Sequence, residues 1–241
     1  MKKNANTLVF LFLTYPIGVL LGILFLLLRL LGRIKVIHPE RFPRWQKKLI
    51  VVSNHPSVLE TFLLPFLFFP EYCLRPFTHT PWSTPDKKLF YDRWFLFWAR
   101  PRLIPINRGD KSELAISVVK IKKILDQDGV VILFPEGGRT FKGNKFVFSK
   151  TGKRIRELET GIGWLIRKTG ALVVPIWVEG TNRVLPNAPG RLFVLPNLRG
   201  GKITIRIGRP LLFQKNSPYL TKEEVTQIIA SVLIDLADEE E

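Results

Sequence analysis

Two short stretches hold the residue types that acid–base and anion chemistry need. The first is Asn54-His55-Pro56-Ser57-Val58-Leu59-Glu60, where an imidazole precedes a carboxylate by five positions. On one continuous helix such residues lie about 140° apart and do not meet. With His55 in a turn and Glu60 in the first turn of the helix that follows, contact becomes feasible. A carboxylate that accepts the proton of one ring nitrogen fixes the tautomer and frees the other nitrogen as a base. The same residues carry a second reading, because Ser57-Val58-Leu59-Glu60 matches a capping box in which Glu60 bonds back to the backbone of Ser57. The second stretch is Phe134-Pro135-Glu136-Gly137-Gly138-Arg139-Thr140. Gly137 and Gly138 let the backbone approach a ligand closely, and Arg139 can grip a phosphate bidentately. Glu136 either bonds substrate hydroxyls or holds the turn. Taken alone, a Gly-Gly turn with a solvated arginine is the plainer reading.

Each stretch needs a strand to deliver it, and the apolar runs at 49–54 and 130–134 supply them. Between these strands the pattern predicts an apolar helix over 57–69 ended by Pro70, a strand over 72–78, an aromatic-rich helix over 87–99 and a short strand over 103–107. An amphipathic helix over 111–127 follows, closed by Asp128-Gly129. Further on come a helix over 161–169 with Gly170 as its C-cap and a strand over 172–178, in which Pro175 marks an edge or bulge. A half-buried strand over 202–207 precedes a last helix opened by the Thr221-Lys222-Glu223-Glu224 capping box. Strands alternating with helices argue an α/β fold, a mostly parallel sheet flanked by helices.

Composition narrows the setting. The chain of 241 residues fits one globular domain plus an anchor, with 46% hydrophobic residues and a net charge of +17. That field favours nucleic acid, an anionic membrane surface or anionic substrates. The N-terminus decides for the membrane. No charge interrupts the apolar run from Leu8 to Leu28, which would span about 31 Å as a straight helix, close to the ~30 Å hydrocarbon core. Pro16 either kinks this helix or divides it into a helix pair. We therefore expect residues 1–34 to form a hydrophobic membrane anchor and 35–241 the folded domain. The heavier positive flank at Arg29, Arg33, Lys35, Arg41 and Arg44 places that domain on the cytoplasmic face. Cys73 is the only cysteine, and neither it nor His38 nor His79 has ligand-spaced partners, so no metal site is expected. The basic run Lys142, Lys145, Lys150, Lys153, Arg154 and Arg156 reads as a solvated loop or a contact for anionic headgroups.

Read together and in order, the two chemical stretches resemble the glycerolipid acyltransferase family (PlsC-type, 1-acylglycerol-3-phosphate acyltransferases and relatives). Ile104-Pro105-Ile106-Asn107-Arg108 is similar to that family's second block and Val173-Val174-Pro175-Ile176 to its fourth, so the likeness covers roughly 49–185. The resemblance implies acyl transfer from acyl-CoA or acyl carrier protein to a lysolipid hydroxyl, with no tightly bound cofactor and no nucleic-acid partner. The acceptor it implies first is 1-acylglycerol-3-phosphate, giving phosphatidic acid. His55 would abstract the hydroxyl proton, and Glu60 stands where the family has aspartate. Arg108 and Arg139, with Glu136, Gly137 and Gly138, would bind the acceptor, and Lys87 and Lys88 would add a phosphate contact. Two rival readings keep the fold: acylation of another lysolipid (a lyso-ornithine lipid, a glycolipid or another lysophospholipid), or a catalytically silent lipid binder in which Glu60 only caps its helix.

Overall fold

The computed structural model describes residues 2–187, 197 and 201–240. Six strands form the main sheet: β1 (Ile34–Ile37), β2 (Leu49–Ser53), β3 (Trp82–Ser83), β4 (Val130–Leu133), β7 (Leu172–Glu179) and β8 (Ile203–Ile207). Two more, β5 (Phe146–Phe148) and β6 (Arg154–Arg156), make a separate antiparallel hairpin. The sheet order is β1-β8-β7-β2-β4-β3. β7, β2, β4 and β3 run parallel to one another, while β8 and β1 run parallel to each other and opposite to those four. The sheet is therefore mostly parallel, as the alternation of elements predicts.

The central strands are apolar from Leu49 to Val52, Val130 to Leu133 and Leu172 to Val178 because helices cover both faces. Along β2 the side chains alternate. Ile50 and Val52 join Val131, Leu133, Val173 and Trp177 against the helices Lys111–Asp126, Gly161–Thr169 and Lys222–Asp238. Leu49 and Val51 join Val130, Ile132, Val174 and Ile176 on the opposite face, against Leu63, Leu64, Leu67 and Phe68. Helix ends follow their chemistry. Gly170 closes its helix at φ +62°, and the hydroxyl of Thr221 accepts the N–H of Glu224 while the Glu224 carboxylate accepts that of Thr221. Pro175 lies beside a break, since β8 pairs with β7 only from Ile176 onward and the next bridge is Val173 to Leu211. Its missing N–H has no partner to lose there.

Four local expectations change. The segment after Ser57 is helical only from Glu60 to Leu63, tightens to a 3-10 turn over Leu64–Phe68, and resumes at Phe69–Leu74. Pro70 starts a helix instead of ending one. The 72–78 stretch is likewise helical, with Pro76 opening Pro76–His79, because proline at a first turn forfeits no helical hydrogen bond. The aromatic stretch is a wide turn at Lys87–Tyr91 followed by a 3-10 segment at Trp94–Arg102 that accommodates Pro101. Residues 103–107 make single bridges, Leu103 to Ser83 of β3 and Ile106 to Asp86 just after it, instead of a continuous ladder.

The N-terminal segment is one helix, not a pair. A wide π turn over Phe10–Thr14 directly precedes Pro16 and takes up the irregularity that the proline imposes. Asn6–Leu30 is long and apolar enough to cross a membrane. One side of it packs on the domain. A Cβ at Gly18 would stand 2.2 Å from the Tyr72 hydroxyl, and one at Gly22 would stand 2.1 Å from the Phe69 ring. Phe25 is buried in the second core beside Phe66.

Gly163, inside the Gly161–Thr169 helix, lets the last helix approach: a Cβ there would lie 1.9 Å from the carbonyl oxygen of Lys222. Alanine exceeds glycine in intrinsic helix propensity by about 1 kcal/mol. The expected outcome of Gly163→Ala is nonetheless a loss of about 1–3 kcal/mol from overpacking. A thermal melt at or above that of the parent would refute this contact.

Candidate active site

Because β2, β4 and β7 are parallel, their carboxyl ends share one edge, where open α/β sheets bind ligands. His55, the Glu136–Thr140 loop and Gly180 all leave the sheet there. Asn54 extends the pairing one residue past β2 with its side chain. Its Nδ2 donates to the Val178 carbonyl (2.9 Å) and its Oδ1 accepts the Val178 N–H (2.7 Å). The carboxamide thus imitates a strand residue while the backbone is released to turn.

In that turn His55 Nδ1 lies 2.6 Å from Glu60 Oε1. The same oxygen accepts the N–H of Ser57 at 2.8 Å, so it presents lone pairs and Nδ1 is the donor. Nε2 is left without a hydrogen bond among the described residues. Both readings of Glu60 hold at once: it orients the imidazole and ties back to Ser57. The box itself is only half formed, because the Ser57 hydroxyl accepts from Leu59 N–H (3.2 Å) and donates to the Leu185 carbonyl (3.0 Å). Glu60 is fully buried, while the His55 side chain keeps 13% exposure, enough for a reactive edge. The imidazole stacks on Phe134, ring centres 4.4 Å apart, which fixes its plane.

Glu136 was expected to bond the acceptor; the structure turns it inward. It has no exposure. Oε1 accepts the backbone N–H of His55 (2.7 Å) and the Thr140 hydroxyl (2.8 Å), and Oε2 accepts the N–H of Arg156 (2.8 Å). Burial raises its pKa, opposed by those three donors. The carbonyl of His55 in turn accepts the N–H of Thr140 (2.8 Å). Gly137 needs its left-handed φ of +66°, and Gly138 stands open on the side of Arg156.

The basic candidates separate. Arg139 is 92% removed from solvent, stacks over Phe141 and donates to Asn187 Oδ1 (3.1 Å), whose amide donates to the Pro56 carbonyl (2.7 Å). Burial lowers its pKa and the charge of Glu60 partly restores it. Arg108 leaves the sheet after the bridges to β3 and pairs with Asp86 (3.0 Å). Lys87 bonds Glu113 (2.7 Å), which also takes Asn107 Nδ2, so it is committed within the protein; Lys88 is exposed.

A profile of the acyltransferase family matches residues 33–179, more than half the chain and all of the constellation from His55 to Arg139. The chain belongs to the acyltransferase family. It is 26% identical over 201 residues to a 1-acyl-sn-glycerol-3-phosphate acyltransferase from Chlamydomonas reinhardtii, covering 83% of this chain and 53% of the relative. A chloroplastic 1-acyl-sn-glycerol-3-phosphate acyltransferase from Arabidopsis thaliana is 24% identical over 174 residues, covering 71% and 42%. The chain spans about half the length of the curated relatives it matches. The crystal structure of the 1-acyl-sn-glycerophosphate acyltransferase PlsC from Thermotoga maritima shares the fold, with a TM-score of 0.64 at 19% identity over 99% of this chain and 82% of that one.

Within this acyltransferase frame, sequence reasoning missed Asn54 as a strand mimic, Phe134 as the ring platform and Asn187 as the link from Arg139. Asn at a strand end followed by His-Pro was a legible signal for the first. Nothing in the sequence pointed to Asn187, which lies beyond the motifs. The central claim about Glu136 is testable. In Glu136→Gln one oxygen becomes an amide that must face an N–H or O–H donor, and an unmatched buried donor costs about 1–3 kcal/mol. The variant should melt lower and lose turnover through a displaced His55; wild-type melting with wild-type turnover would sever the tie.

Proposed function

We propose that the chain is a membrane-associated O-acyltransferase that moves a fatty acyl group from acyl-CoA or acyl carrier protein to the free hydroxyl of 1-acylglycerol-3-phosphate, yielding phosphatidic acid. The observation that carries this reading is the His55 Nδ1 to Glu60 Oε1 contact of 2.6 Å at the carboxyl edge of the parallel strands. His55 Nε2 takes the acceptor hydroxyl proton as the oxygen attacks the thioester carbonyl. The tetrahedral adduct collapses, the C–S bond breaks, and the proton held on Nε2 passes to the leaving thiolate. No covalent enzyme intermediate is needed, in keeping with a Ser57 hydroxyl occupied by Leu185 and Leu59. Glu60 holds the tautomer and stabilises the imidazolium that forms in between.

The choice of acceptor is supported by the names of the relatives and by the arginines at the site. A net charge of +17 suits both an anionic acceptor and an anionic lipid surface. Residues 1–34 act as the anchor, and the basic flank orients the domain toward the cytoplasm.

Purified protein given a radiolabelled acyl-CoA and a panel of lysolipids is expected to label phosphatidic acid. Label appearing only in a different lysolipid product would replace the acceptor, and no label in any product would favour the silent reading. His55→Ala should lower kcat by about 10²–10⁴-fold with the fold intact; undiminished turnover would sink the mechanism. Glu60→Gln separates charge from shape. Oε2 of Glu60 is buried without a hydrogen-bond partner, so a glutamine can keep Oε1 on His55 and Ser57 while removing the charge, at a stability cost of about 1–3 kcal/mol for the unmatched buried amide. The variant should fold yet lose most of its turnover, whereas Glu60→Asp retains more. Equal tolerance of both changes would leave Glu60 with a capping role alone.

A further inference from the structure

The basic run after Thr140 contains one arginine that turns inward. Arg156 ends β6, and its N–H donates to Glu136 Oε2, the carboxylate whose other oxygen holds the N–H of His55. The backbone of Arg156 is therefore one side chain removed from the catalytic turn. Its own side chain runs beneath the loop glycines. A Cβ at Gly143 would lie 2.5 Å from Arg156 Cγ, and one at Gly138 would lie 2.6 Å from Nη1. Neither glycine has a left-handed backbone, so space is what these positions supply. The Arg156 guanidinium makes no ion pair among the described residues, whereas Arg154 beside it lies over the Phe146 ring.

Arg108 is the other arginine of this strand-end region and is hydrogen-bonded to Asp86. Burial lowers its pKa most, and Arg156 lowers it further, against the raising effects of Asp86 and Glu159. Of these two guanidinia, only that of Arg108 is hydrogen-bonded to a carboxylate among the described residues. A fold that gathers like charges at a strand-end loop without neutralising both is suited to an anion with several acceptor oxygens.

We propose that Arg156 holds the phosphate of the acceptor beside Arg108, which the family resemblance already implies there, with Gly138 left bare so that the Arg156 head can reach it. This rests on the phosphate-bearing acceptor proposed above. Coenzyme A also carries phosphates, so kinetics must vary donor and acceptor separately. Arg156→Ala is expected to raise KM for lysophosphatidic acid on the order of ten- to a hundredfold, as loss of a charged hydrogen bond does, and to leave KM for acyl-CoA unchanged. Arg156→Lys should recover part of the loss. Gly138→Ala should shift KM in the same direction by displacing the guanidinium, and adding it to Arg156→Ala should cost nothing more. An unchanged acceptor KM in both single variants, or a rise confined to acyl-CoA, would overturn the assignment.

A binding arm decides the matter apart from turnover. His55→Ala protein in detergent is titrated with lysophosphatidic acid and with monoacylglycerol, and the same is done after adding Arg156→Ala or Gly138→Ala. Weaker binding of the phosphorylated lipid alone supports the arginine pair. Equal binding refutes it, even where the acceptor acylated in the assay proves to be another lysolipid. Thermal melts of each variant identify misfolding; should Arg156→Ala fail to fold, Gly138→Ala carries the test.

Discussion

The carboxylate of Glu136 joins three parts of the chain that are distant in sequence: the turn at His55, the loop at Thr140 and the strand end at Arg156. A buried ionisable group is tolerated when its charge is shared among donors, and here each donor belongs to an element with a task at the site. The hydrogen bonds fix the height of the imidazole above the sheet relative to the basic loop. The glutamate in the Phe-Pro-Glu-Gly stretch thus faces inward and fixes the backbone of the His55 turn.

Above it, Glu60 condenses two roles into one oxygen. Oε1 receives both the ring N–H of His55 and the backbone N–H of Ser57, so the imidazole is registered against the main chain itself. The helix starts at Glu60, later than an apolar helix from Ser57 would begin. The imidazole is therefore held on three sides: Glu60 at Nδ1, Phe134 against the ring face and Glu136 at the backbone. Preorganisation of this kind spares the reaction the cost of ordering the base.

Much of this was legible in the sequence wherever one physical cause dominates. Continuous apolar runs meant strands buried on both faces, and β2, β4 and β7 bear that out. Gly170 and Thr221 ended and began helices as their chemistry requires. The reading failed at two prolines, Pro70 taken as a stop and Pro76 taken as part of a strand. Pro70 and Pro76 occupy first turns, so two short helices stand where a helix end and a strand were expected. The difference between Glu136 facing substrate and facing inward was illegible, because it depends on Arg156 and His55 arriving from far along the chain. Arg156 was hidden for a related reason: in sequence it is one cation among six, and only the bare Gly138 and Gly143 single it out.

The close fit of Gly18 and Gly22 under Tyr72 and Phe69 bears on how this protein can be handled. A tethered anchor can be trimmed away to leave a soluble domain. Here the apolar helix also supplies Phe25 to the core beneath it, and Tyr72 donates its hydroxyl to the Thr14 carbonyl (2.9 Å). Cutting before Ile34 would vacate an aromatic groove and forfeit a buried phenylalanine worth about 3–5 kcal/mol. Solubilisation is better sought by replacing the outward leucines, Leu20, Leu24, Leu27 and Leu30 among them, with polar residues while the glycine face stays as it is.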